Sequence, residues 1–143
     1  MTAGMLPLIL GACEGWTEIR WKSPESATAK QQWFTDPELA ENHARSLDGK
    51  AEVWFSAATR MRKGGSKQDV QEIPGFWADA DDEASCQESE NFLPPTLRIE
   101  TSPGHQQLWW LFNEPLLLES DELINTVEAT LRGIAHRIKA DPA

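Results

Sequence analysis

Tyrosine is missing from this chain, and cysteine, histidine and basic residues are scarce. Its 143 residues include two cysteines and three histidines, against seven tryptophans. Cys13 and Cys86 are too few for a disulfide framework and lack the close pairing of a zinc site, so a reducing compartment, the cytoplasm, is the expected setting. Nothing in the chemistry of aromatic side chains explains why tryptophan is kept and tyrosine is not. Lys and Arg number 13 and Asp and Glu 23, a formal net charge of −10. That balance excludes a protein that coats nucleic acid by charge alone. It leaves room for an enzyme that holds a divalent cation between its own carboxylates and a polyphosphate. No apolar run reaches the roughly 20 residues that a membrane span needs, so no membrane partner is expected.

Hydrophobic residues make up 40% and charged residues 25%, the proportions of a soluble globular protein. The length suits one domain with a core of its own. The opening "MLPLILGAC" ends like a bacterial lipoprotein cleavage site, but no Lys or Arg precedes it and Pro7 interrupts it. A first buried helix leading into a strand is the better reading.

Residues 15–22 alternate as a strand does, and "SPESATAKQ" reads as a loop. Asp36 as cap and Pro37 at the first helical position predict a helix over 36–46. Residues 51–60 are rich in strand formers, and 73–79 read as a second, buried strand. The segment 82–92 is either a polar helix or a loop. Two further strands, in "LPPTLRIETS" and over 106–112, flank Pro103 and Gly104, a pair suited to a hairpin turn. Ser120 caps a last helix, with Asp121 and Glu122 in its first turn and Arg137 and Lys139 in its last. Leu123, Val127, Leu131, Ile134 and Ile138 give that helix one apolar face. Mixed strands with flanking helices make the class α+β.

Three features carry chemistry. "GFWADADD", residues 75–82, ends a buried strand in aspartates. Residues i and i+2 of a strand share a face, so Asp79 and Asp81 project together. Two such carboxylates repel unless a cation lies between them, and Mg²⁺ or Mn²⁺ bridges carboxylates to substrate phosphates in this way. A solvated acidic turn is the plain alternative. A calcium loop over Asp79, Asp81, Glu83, Ser85 and Glu90 is a third, weakened by Ala84 where such a loop needs glycine. Next, Arg60, Arg62, Lys63 and Lys67 cluster around Gly64 and Gly65, a local reversal of the overall charge that suits phosphate oxygens. An ordinary solvated loop would look the same. Last, "SPGHQQLWW" sets Ser102, His105 and Gln107 at and just after a turn, where hydroxyl, imidazole and amide could bind a triphosphate. No partner carboxylate makes Ser102 and His105 a protease pair. Trp109 and Trp110 read as core rather than as base-stacking platforms, and His43 and His136 as surface residues of helices.

Taken in order, "FSAATR", the basic glycine loop, "FWADADD" and "LRIETSPGHQQLWWLF" resemble the catalytic domain of the archaeo-eukaryotic primase superfamily, in particular the RepB-like primase-polymerases of plasmids and phages. The resemblance runs from "EGWTEIRW" to the C-terminus. It implies an RRM-like core, a mostly antiparallel sheet with helices packed on it. It implies a nucleotidyltransferase of DNA replication that transfers nucleotides to a primer or an initiating nucleotide with Mg²⁺ or Mn²⁺. Asp79 and Asp81 match the family's catalytic metal pair. The stretch from Ser102, with His105 and Gln107, matches its nucleotide-binding turn, although the family histidine slot holds Gln107 and His105 comes early. Arg60 matches an arginine before the metal motif, and Lys63 and Lys67 would join it on phosphate. The implied partners are nucleoside triphosphates, a single-stranded DNA template, and a helicase or C-terminal domain of a longer replication protein. The family's third acidic residue and its arginine-rich segment have no counterpart here, and Asp141 sits too close to the end to serve. The expectation is therefore a domain whose C-terminal part is missing, one that either polymerises or only binds nucleotide and single strands, with an exposed sheet edge.

Overall fold

In a computed structural model, residues 4–140 are described. They form a mixed α+β protein with two antiparallel three-stranded sheets and four helices. The chain divides into two compact units, one running up to Pro74 and including Glu114–Leu118, the other made of Gly75–Asn113 and the chain from Glu119 onward. Asp141, weighed above as a third acidic residue, lies outside the described residues.

The first unit opens with α1 (Met5–Leu10), whose Leu6, Ile9 and Leu10 are buried, as a first buried helix requires. Its sheet has the order β2-β1-β3, with β1 (Thr17–Lys22), β2 (Lys30–Phe34) and β3 (Glu52–Phe55). Strand β1 lies within the predicted 15–22, but only its second half alternates: Thr17, Glu18 and Ile19 are all buried, and Arg20 and Lys22 are exposed on either side of the half-buried Trp21. Strand β2 falls partly inside the segment read as a loop, because "KQQWF" is polar along most of its length and only its pairing with β1 makes it a strand. Strand β3 stops at Phe55, well short of residue 60; Ser56 turns its hydroxyl onto the Ala58 carbonyl at 2.8 Å, and this local bond ends the ladder. Helix α2 (Pro37–Ser46) begins where expected, with the Asp36 carboxylate accepting from the Glu38 amide at 2.9 Å. His43 on α2 is not a plain surface residue. It is half-buried, with ring centroids 4.8 Å from Trp21 and 5.4 Å from Phe34.

The second unit contains the sheet β4-β6-β5, with β4 (Glu72–Ala80), β5 (Leu97–Ser102) and β6 (His105–Leu117). The passage between units falls within β4 and within β6. Strand β6 runs past residue 112 into "NEPLL", which sequence pattern alone does not mark as strand. Residues 82–92 resolve as helix α3 (Glu83–Phe92). Asp82 accepts from the Ser85 amide at 2.8 Å, so the last aspartate of the acidic run is a helix cap. Helix α4 (Asp121–Arg137) starts at Ser120, as the sequence indicates. It ends sooner than expected, since Lys139 lies beyond it with φ of 60°.

The core of the second unit explains which face of its sheet is left for function. Ala78 and Ala80 of β4 and Leu108 and Trp110 of β6 pack with Ile134 and Ile138 from the C-terminal helix region, joined by Cys86 of α3. Burying side chains such as Leu108, Ile134 and Ile138 stabilises by roughly 1.5–3 kcal/mol each. By strand alternation, Trp77 and Asp79 on β4 and Gln107 and Trp109 on β6 point the other way. Gly75 lets β4 and β6 close together there: a Cβ on it would stand 2.2 Å from the Trp110 carbonyl oxygen.

Candidate metal and nucleotide site

Asp79 and Asp81 do share a face. Ala78 and Ala80 are buried on the core side, while Asp79 and Asp81 are exposed on the other. Strand β6 brings two of the predicted partners to them. His105 holds its Nδ1 3.1 Å from Asp81 Oδ1. An ionised carboxylate can only accept, so Nδ1 is the donor in this contact. The Gln107 side chain hydrogen-bonds Asp79.

A tryptophan fixes how Gln107 makes that bond. The Trp109 indole Nε1 donates to Gln107 Oε1 at 2.8 Å. Indole is a donor only, so the amide oxygen must face Trp109. The amide nitrogen is thereby turned toward Asp79. Trp109 is fully buried, and its ring lies 5.5 Å from Trp77, so the relay rests on a packed aromatic pair. Trp109 and Trp110 are both core residues, as predicted. The orienting role of Trp109 escapes sequence reading; the alternation of Gln107 and Trp109 was the one available signal.

Although Asp79 is exposed as a residue, partial desolvation of its carboxyl pushes its pKa above the ordinary carboxylate value, and the charge of Asp81 pushes the same way; the Gln107 hydrogen bond opposes both. A carboxylate pair with this internal conflict is relieved by a cation. Mg²⁺ and Mn²⁺ commonly take one or two carboxylates and complete their shell with water and phosphate oxygens, so this donor set fits them. Among the described residues, no three His, Cys, Asp or Glu side chains are placed to hold one metal ion together, so water and phosphate would have to complete its shell. The calcium-loop reading is overturned. Asp79 is in a strand and Glu83, Ser85 and Glu90 are in α3, where Ser85 bonds the Lys139 carbonyl at 2.6 Å and Glu90 pairs with Arg98.

Ser102 ends β5 and pairs with His105 across the Pro103–Gly104 turn, beside an irregularity in the ladder. It is exposed. The hairpin thus holds Ser102, His105 and Gln107 in one stretch, and the geometry joins His105 and Gln107 to the aspartates.

The basic loop belongs to the first unit, and much of its charge is already used there. Asp69 folds back into the loop, pairing with Arg62 and accepting from the Ser66 hydroxyl at 2.9 Å. Those two bonds, Arg62 first, hold its pKa below the ordinary range. Asp69 follows the cluster directly in sequence, so the loop is less basic than its four cations suggest. Gly64 serves this closure: a Cβ there would meet the Asp69 carboxylate at 2.2 Å. Lys63 sits 4.7 Å from the centre of the Trp16 ring, a cation–π contact. Lys67 opens a short 3₁₀ turn, Lys67–Asp69. Arg60 lies past the end of β3, donates from Nη1 to the Ser66 carbonyl at 2.9 Å and from Nη2 to the Ser56 hydroxyl at 3.3 Å.

Both cysteines are free. Burial, with Glu72 adding to it, pushes the Cys13 thiol up to about 12, so it is a neutral packing group at physiological pH. No helix among the described residues is long and apolar enough to cross a membrane. Comparison with protein-family models, with curated proteins and with solved structures gives no match.

Proposed function

We propose that this chain is a metal-dependent nucleotidyltransferase domain of the primase-polymerase kind, acting in DNA replication of a plasmid or phage. The observation that carries the reading is the convergence of Asp79, Asp81, His105 and Gln107 on one face of the β4-β6 pair. These residues come from two separate motifs, one suited to a divalent metal and the other to a triphosphate.

In this reading Asp79 and Asp81 hold Mg²⁺ or Mn²⁺, which would supply electrostatic stabilisation to the α-phosphate and the pyrophosphate leaving group of a nucleoside triphosphate. The remaining work belongs to the side chains. Gln107, locked by Trp109, keeps the Asp79 carboxylate aimed away from the core. His105 steadies Asp81 by donating from Nδ1; with Nε2 protonated as well, it would donate a second bond to a phosphate oxygen. Ser102 adds a hydroxyl at the turn. The resemblance would add Arg60, Lys63 and Lys67 on phosphate, but these stand in the first unit, where Arg60 already bonds Ser66 and Ser56 and Lys63 lies over Trp16. The RRM-like description of the second sheet, the single-stranded template and a helicase or C-terminal partner belong to the same proposal.

A second reading has a specific observation behind it. With two carboxylates and no third in the group, the domain would bind nucleotide with metal but not transfer it. Calorimetry separates these from a solvated acidic turn. The wild-type chain should bind dATP with Mn²⁺ and much more weakly without it, and Asp79→Ala/Asp81→Ala should abolish the metal-dependent part. Equal binding by the double variant would overturn the assignment. Primer extension on a primed template then distinguishes transfer from binding alone.

A further inference from the structure

The first unit carries an open pocket of about 570 Å³, lined by none of Asp79, Asp81, Ser102, His105 or Gln107. Its walls include Glu18, Arg20, Trp54, Ser56, Arg60 and Gly65. We propose that this pocket binds single-stranded nucleic acid, with one base stacked on Trp54 and its flanking phosphates on Arg20 and Arg60.

Strand register builds the surface. Arg20 of β1 lies directly opposite Trp54 of β3, so guanidinium and indole share one face of the sheet. Trp54 is 46% exposed, a large ring left uncovered beside two cations. A planar ligand that also carries negative charge satisfies both, and a nucleotide unit is such a ligand. Arg20 is steadied by Glu18, whose carboxylate is 3.0 Å from Nη2 and itself buried. Arg60 is pinned through both Nη atoms, while its buried Nε has no hydrogen-bond partner among the described residues. The cations at this pocket are therefore preorganised, which lowers the cost of binding.

The pocket favours a strand over a free nucleotide. Lys22 follows Arg20 on the same face of β1, and it lines a second hollow of about 200 Å³ with Ser23 and Glu52. A chain of phosphates can follow Arg20 and Lys22 along the strand, which a mononucleotide cannot. Bases of any identity stack on an indole, so recognition would be tolerant of sequence. The inference rests on the reading of this protein as one that acts on nucleic acid, and it assigns the strand a surface of its own.

The test is fluorescence anisotropy of a labelled oligo(dT) with the full chain in EDTA. EDTA removes the metal on which the Asp79 and Asp81 assignment depends, so the two can fail separately. Binding should weaken about tenfold or more in Trp54→Ala, the loss of one stacked base. It should be largely kept in Trp54→Phe. Free dTMP should compete far less well than unlabelled oligo(dT). Absence of binding by a folded chain, an unaffected Trp54→Ala, or equal competition by dTMP would each overturn the proposal.

Discussion

Asp69 shows how much one carboxylate can decide. It closes the basic loop onto itself through Arg62 and Ser66. Its pKa is lowered in the folded chain, so it binds a proton less readily folded than unfolded. The stability it contributes is therefore fully present above the ordinary carboxylate value of about 3.9 and is lost as pH falls through its lower folded value. Asp69→Asn should destabilise the protein to urea at pH 7, and that difference should shrink toward zero in strong acid. Urea titrations of both proteins at the two ends of that range give the answer. Sequence made the loop legible as a cluster of cations around two glycines. It did not show that Gly64 makes room for an acid rather than for a phosphate, because that depends on where a neighbouring carboxylate returns in space. The aspartate pair was more readable, since the face that Asp79 and Asp81 share follows from strand period alone.

At the scale of elements, caps were the most legible feature. Asp36 and Ser120 start α2 and α4 as their side-chain chemistry demands. The end of α4 is different. Lys139 donates its amide to the His136 carbonyl at 3.2 Å, and Ala140 to the Ala135 carbonyl at 2.8 Å. This is the pair of bonds with which helices close on a left-handed residue, a place usually held by glycine. A lysine with φ of 60° is strained there. Lys139→Gly should stabilise the second unit by about 0.5–1 kcal/mol, after the greater unfolded-state entropy of glycine is taken off. Thermal or urea unfolding would measure it, and a loss of stability would mean that the strain is offset elsewhere. Strand β2 was the element hardest to see. Its polar residues carry no periodic signal, and its existence depends on the pairing that β1 offers.

For the whole molecule, charge sets the terms. A net charge of −10 repels a polyanion at long range, so binding must come from local placement of cations. If Arg20, Lys22 and Arg60 neutralise three phosphates of a single strand, the slope of log affinity against log salt should be about −2. Anisotropy titrations over a range of salt would show it. A slope near zero would mean that stacking alone holds the strand, and a much steeper one would mean that further cations take part.

The bond from the Trp109 indole to Gln107 has a spectroscopic consequence. The seven tryptophans give seven indole N–H groups, and the one on Trp109 is joined through a single amide to the Asp79 carboxylate. In a ¹⁵N-labelled sample, a diamagnetic ion such as Mg²⁺ arriving at Asp79 should move the Trp109 indole resonance. The buried ring would then act as a built-in reporter of events at a surface it does not touch.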